Sequence, residues 1–194
     1  YDTVYRLPQA QLNQLKQIAA EIRINAAEDN ERAQGYAPSL PEGQAAFGPL
    51  RFECADVPGK ITTVDERDMA RVEQSIREAR FMADCVLVAM HSHEIPALSK
   101  EEPDRFYVEF AHRCIDAGAD AVIGTGPHLL RPIEIYRNRP IFYSLGDFII
   151  QLETLQHPPA DMFEKQGMTP ADGLDRMFEN RSGNGKRGLY YEKI

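Results

Sequence analysis

Several features are scarce in this sequence, and each scarcity closes off a class of function. There are only three cysteines, Cys54, Cys85 and Cys114, far apart and without a C-x-x-C pair. That number and spacing argue against a disulfide framework and a thiolate zinc site. Cys85 in an apolar run and Cys114 on a helix face read as small core residues. No apolar run approaches the roughly 18 residues of a membrane span, and no secretory leader is visible. Positive charge is short as well: 22 Lys and Arg against 30 Asp and Glu leave a net charge of −8, which argues against extended contact with a nucleic-acid backbone. Internal repeats are missing. So is an initiator methionine; the opening Tyr1-Asp2-Thr3 predicts a segment upstream and leaves the compartment open between cytoplasm and cell envelope.

What is present is ordinary globular composition, 43% hydrophobic and 27% charged, in a chain of 194 residues that is one domain or part of one. Pro8 opens a predicted helix to about residue 29, with Leu12, Leu15, Ile18, Ala19 and Ile22 on its apolar face. From Gly35 to Gly59 little periodicity is left, and a long irregular connection is expected. Asp65 caps a second helix with Met69, Val72, Ile76 and Ala79 inward. The apolar run Cys85–Met90 has strand length. Pro103 to Gly118 bounds another helix, carrying Phe106, Phe110, Cys114 and Ile115 on one stripe, and a short apolar strand follows over Ala121–Gly124. Strand, helix, strand predicts a βαβ unit with a right-handed crossover and strands buried on both faces. Arg131–Tyr136 and Pro140–Leu145 flank Arg137-Asn138-Arg139 as a hairpin. After residue 151 the chain turns polar, and residues 152–194 are expected to form a tail that is poorly ordered towards its end.

Ligands of open α/β sheets bind beyond the carboxyl ends of the strands. Here those ends are followed by His91-Ser92-His93-Glu94, by Thr125-Gly126-Pro127-His128 and by Gly146-Asp147. Imidazoles and carboxylates converging on one rim suit zinc, manganese or iron, which activate water and polarise phosphoryl or carbonyl oxygens. Arg131 is a candidate contact for an anionic substrate. Glu134 faces either the site or solvent, and Asp147 is either a site residue or turn chemistry. His112 in mid-helix and His157 before Pro158-Pro159 read as structural or surface residues.

Residues 82–151 also resemble a known family. Ala117-Gly118-Ala119-Asp120-Ala121-Val122-Ile123-Gly124, then Pro127-His128-Leu129-Leu130-Arg131-Pro132-Ile133-Glu134, then Ile141-Phe142-Tyr143-Ser144-Leu145-Gly146-Asp147-Phe148 are similar, in order, to the CapA family of poly-γ-glutamate capsule synthesis. The resemblance implies residues 1–151 as the C-terminal part of a calcineurin-like metallophosphatase sandwich, an α/β fold of β-sheets flanked by helices. It implies His91 and His128 as metal ligands and a dinuclear centre completed only by upstream residues. Two departures stand out: Thr125-Gly126 where the family carries histidine, and Ser92-His93 where it carries Trp-Gly. His93 is therefore expected to replace the missing ligand.

Three functions compete. The first is a metal-dependent phosphoesterase with His91 and His128 on the metal and His93 and Glu94 as ligand or acid and base, acting on a small-molecule or polymer substrate. The second is a non-catalytic capsule-assembly or ligand-binding module that keeps the fold. The third is an amidohydrolase using His91-x-His93, against which the length of a (β/α)₈ barrel, about 250 residues, counts.

Overall fold

The computed structural model describes residues 1–149, 158–181 and 183 as an α/β protein with two mixed sheets and flanking helices. The chain forms two compact units, Tyr1–Val86 with Pro103–Ala119, and Leu87–Glu102 with Asp120–Ile194.

The first unit is built on strands β1 (Asp2–Leu7), β2 (Gln44–Phe47), β3 (Leu50–Cys54) and β4 (Gly59–Thr63), in the order β2-β3-β1-β4. β1 runs parallel to β3 and antiparallel to β4. These strands correct two expectations. The segment from Gly35 to Gly59 is not irregular: it holds a hairpin whose two-residue turn is Gly48-Pro49. Pro fixes its own φ near −65°, so the positive φ falls on Gly48, at +55°, the arrangement of a type II′ turn. The predicted helix to residue 29 is two helices, α1 (Gln9–Ile22) and α2 (Ala26–Ala33). Arg23 breaks it in the left-handed region at φ 57°; its N–H and that of Ile24 satisfy the carbonyls of Ala20 and Ala19. Asn25 then ties this break to the hairpin, donating to the Ala46 carbonyl and accepting from the Gly48 N–H, both at 2.8 Å. Of the expected α1 face only Leu12 and Ala19 are buried, while Ile18 and Ile22 stay exposed.

Helix α3 (Glu66–Arg80) starts after Asp65 and helix α4 (Arg105–Ala117) stops before Gly118, both as the sequence predicts, while α4 starts two residues after Pro103 with Asp104 as its cap. Asp65 caps α3 by accepting from the Asp68 N–H at 2.9 Å, and Gly118 closes α4 at φ 118°. Met69 and Ile76 on α3, and Phe106, Ala111, Cys114 and Ile115 on α4, are buried. Arg113 joins the two helices through Glu73 and Glu66. Burial pushes the Cys114 thiol up to about 12, so it stays protonated and inert near neutral pH. Asp104 caps α4 from below: only 2% exposed, it accepts from the Lys60 ammonium at 2.7 Å, the Arg105 N–H at 2.7 Å and the Thr62 hydroxyl.

The second unit contains β5 (Leu87–His91), β6 (Ala121–Thr125), β7 (Ile133–Tyr136) and β8 (Arg139–Phe142), in the order β5-β6-β8-β7. β5, β6 and β8 are parallel, and β7 is an antiparallel edge joined to β8 by Arg137-Asn138, both with positive φ as a type I′ turn requires. The apolar run before His91 is not covered on both faces: Leu87, Ala89 and His91 are exposed while Val88 and Met90 are partly buried. Cys85, expected in the core, is exposed. Beyond the sheet, α5 (Ala160–Glu164), a 3₁₀ turn (Pro170–Asp172) and α6 (Leu174–Arg181) bury Phe163 and Met177, so the polar segment after residue 151 carries ordered helices. His157 and the last residues of the chain lie outside the described residues. Among the described residues no helix is long and apolar enough to cross a membrane.

Candidate functional site

The parallel strands of the second unit end together. His91 is the last residue of β5 and pairs in register with Thr125, the last residue of β6. The chain beyond β8 continues the pattern, since the Leu145 N–H donates to the Gly124 carbonyl at 3.1 Å and Leu145 pairs with Leu130. This brings Asp147 to the rim that carries His91 and His128, as the strand-end rule leads one to expect.

Three imidazoles meet there. The His91 and His93 rings lie 5.1 Å apart, edge to face, with their Nε2 atoms 3.2 Å apart. The His93 and His128 rings lie 5.4 Å apart. The hydrogens follow from the partners. Asp147 as a carboxylate only accepts, and both its oxygens sit 3.0 Å from His128 Nδ1, so that nitrogen carries the hydrogen. Thr125 Oγ1 lies 3.0 Å from His91 Nδ1, a hydrogen bond that fixes the ring's orientation, and 3.5 Å from the Met90 carbonyl. Of the two facing Nε2 atoms of His91 and His93, one donates and the other accepts. The bond to Asp147 orients the His128 ring and leaves its Nε2 without a hydrogen, the arrangement by which an acceptor at one ring nitrogen readies the other for a ligand.

The remaining candidates occupy other roles. Arg131 is not solvated. It is 4% exposed, and its Nε and one terminal nitrogen donate to the carbonyls of Lys100 and Glu94, each at 2.8 Å. Glu94 joins the rim through its main chain, its N–H donating to Ser92 Oγ at 3.2 Å and its carbonyl accepting from Arg131. Glu134, partly buried, accepts from the buried Tyr143 hydroxyl at 2.6 Å. Gly126 was missed as a site residue. At φ +125°, a Cβ built on it would stand 2.6 Å from the Ser92 carbonyl oxygen, so histidine cannot occupy this position beside the present Ser92 backbone. His128 itself has φ 62°, a left-handed conformation that costs a non-glycine residue on the order of 1 kcal/mol and recurs at functional sites. Among the described residues no group of three His, Cys, Asp or Glu is arranged to hold a metal ion.

The fold and rim thus define an α/β protein with an imidazole cluster at the carboxyl end of a mostly parallel sheet. Residues 9–152 match the family of bacterial capsule synthesis protein PGA_cap, and the chain belongs to that family. It is 42% identical over 118 residues to the uncharacterized protein y4sH of Sinorhizobium fredii, covering 60% of this chain and 25% of that protein. It is 40% identical over 74 residues to the PGA biosynthesis protein CapA of Bacillus subtilis, covering 38% of this chain and 19% of the relative. With the capsule biosynthesis protein CapA of Bacillus anthracis the identity is 29% over 92 residues, 47% of this chain and 22% of the relative. The matched region spans a quarter or less of the length of these relatives.

Proposed function

We propose that the chain serves capsule synthesis as a ligand-binding part, gripping its ligand on the His91–His93–His128 rim, and is not by itself a complete hydrolase. The observation that carries this reading is the cluster itself. The three rings are held together with Asp147 committed to His128 and Thr125 to His91, while no three metal-ligating groups among the described residues form a cage. Within the family resemblance the ligand is the γ-linked glutamate polymer of the capsule. A net charge of −8 restricts contact with that polyanion to a short stretch, at which the His128 Nε2, left without a hydrogen by the bond to Asp147, accepts from an amide N–H of the polymer. The test is calorimetry of the full chain with γ-linked glutamate oligomers, run beside a phosphoester and peptide hydrolysis panel. Saturable binding without turnover is expected; phosphoester turnover abolished by His128→Ala would overturn the reading.

The second reading, a metal-dependent phosphoesterase on a calcineurin-like scaffold, is favoured by one distance. Two imidazoles on a tetrahedral zinc, each about 2.0–2.1 Å away, place their nitrogens about 3.3 Å apart, and the Nε2 atoms of His91 and His93 stand 3.2 Å apart. The pair would fit one divalent ion once the hydrogen shared between the two Nε2 atoms is given up, and further ligands would have to come from outside these two residues. A metal held there would supply a polarised oxygen and an activated water. His91 and His93 would hold it, with Thr125 orienting the first ring.

A further inference from the structure

Two loops carry the imidazoles, residues 91–102 after β5 and 125–132 after β6, and they touch at two locked points. At the first, the Ser92 N–H donates to the Thr125 carbonyl at 3.0 Å, and the Ser92 backbone fills the space that a Cβ on Gly126 would need. At the second, the buried Arg131 guanidinium donates to the carbonyls of Glu94 and Lys100, 37 and 31 residues away in sequence. His93 sits between the two points on the first loop and His128 between them on the second. Thr125 meets the Nδ1 of His91 and Asp147 that of His128, whereas among the described residues the polar neighbour of the His93 ring on the rim is His91, with His128 packed 5.4 Å away. The position of His93 therefore depends on the backbone that carries it, and the tie nearest on its C-terminal side is the Glu94 carbonyl.

We infer that Arg131 is a positioning residue for this rim: it meets no ligand, and it fixes the Glu94–Lys100 backbone so that His93 stays against His91 and His128. The fork geometry of guanidinium makes this possible, because two of its nitrogens reach two separate carbonyls at once. A lysine ammonium at the end of a flexible stem lacks that planar fork. The inference rests on the binding reading proposed above.

The test uses the full chain, labelled with ¹⁵N at histidine, as wild type, Arg131→Met, Arg131→Lys and, as a control, Asp104→Asn in the other unit. Ring-to-ring nuclear Overhauser contacts report the rim without any ligand. Wild type is expected to show contacts from His93 to both His91 and His128. Arg131→Met should lose the His93–His128 contact while His128 keeps its Nδ1 hydrogen-bond signature with Asp147. Arg131→Lys should weaken that contact, and Asp104→Asn should leave it unchanged. If Arg131→Met fails to fold, Arg131→Lys decides. Retention of the full His93–His128 contact in a folded Arg131 variant overturns the inference. A second arm titrates a γ-linked glutamate oligomer into the folded variants, with an expected loss of at least about tenfold in affinity, in the range seen for residues that orient ligand-bearing imidazoles. Absence of oligomer binding in wild type, with the ring contacts responding to Arg131 as described, would sink the binding reading and leave the positioning role standing.

Discussion

Replacing Asp104 by alanine removes several interactions from one buried point. It deletes the cap of α4, the ion pair with Lys60 at 2.7 Å, and the hydrogen bond from Thr62, whose oxygen also accepts the Phe106 N–H at 3.2 Å. Loss of a helix cap costs about 1 kcal/mol, and breaking a buried ion pair by removing one partner costs about 3–5 kcal/mol. The Lys60 side chain is 20% exposed, so its ammonium regains some water and the second figure is an upper bound here. A total of about 3 kcal/mol follows, a fall in melting temperature of about 6–12 °C for a chain of this size. Asp104→Asn keeps a cap acceptor and loses only the charge, so about 2 kcal/mol is expected. Urea unfolding of both variants, of Lys60→Met and of the double variant would give a coupling energy of about 1–2 kcal/mol. Acidity supplies a sign to check. Burial by itself raises the Asp104 carboxyl, but the hydrogen bonds from Lys60 and Thr62 and the Lys60 charge outweigh it and hold the group below the ordinary value of 3.8. The stabilisation is therefore complete above about pH 4 and fades as the pH falls through the lower folded-state value. A loss below about 1 kcal/mol for Asp104→Ala, or an advantage of wild type over Asp104→Asn that persists undiminished in strong acid, would refute the reasoning.

Three other substitutions are expected to act locally. Gly126→Ala forces a Cβ to within 2.6 Å of the Ser92 carbonyl at φ +125°, so a loss of more than about 2 kcal/mol should appear in urea unfolding, with the largest chemical-shift changes at Ser92 and His93. Asn25→Ala strips both hydrogen bonds that hold the α1–α2 break to the β2–β3 turn, and about 1–2 kcal/mol should be lost in the same assay with the rim unaffected. Asp147→Ala frees the His128 ring and should weaken ligand binding by about 10–100-fold, measured by calorimetry, while the melting temperature falls by only a few degrees.

The parts of the fold that were legible in sequence are those with local signals. Asp65 and Gly118 mark helix ends by side-chain oxygen and by freedom at positive φ, and both do so in the structure. β6 and the β7–β8 hairpin were legible from apolar composition and a turn. The first sheet was hidden because its strands are four to six residues long and mix polar with apolar positions; Arg6 of β1 and Glu53 of β3, for example, form an ion pair at 2.6 Å across a parallel ladder. The break at Arg23 was hidden because nothing about arginine signals a left-handed residue. Within the site, His91, His93 and His128 were legible because strand ends collect ligands, and Asp147 was found among several candidates. Gly126 was not, nor were the backbone contacts of Arg131, because each acts through backbone brought from more than thirty positions away, a fact fixed only by tertiary packing.

The central claim is that His91, His93 and His128 form one ligand-contacting rim. The most direct measurement is the long-range ¹H–¹⁵N spectrum of the histidine-labelled full chain during titration with a γ-linked glutamate oligomer. The account predicts that the signals of these three rings move along a common binding curve while His112, in the middle of α4, stays still. Rings that do not move, or a His112 signal that moves as far as theirs, would contradict it.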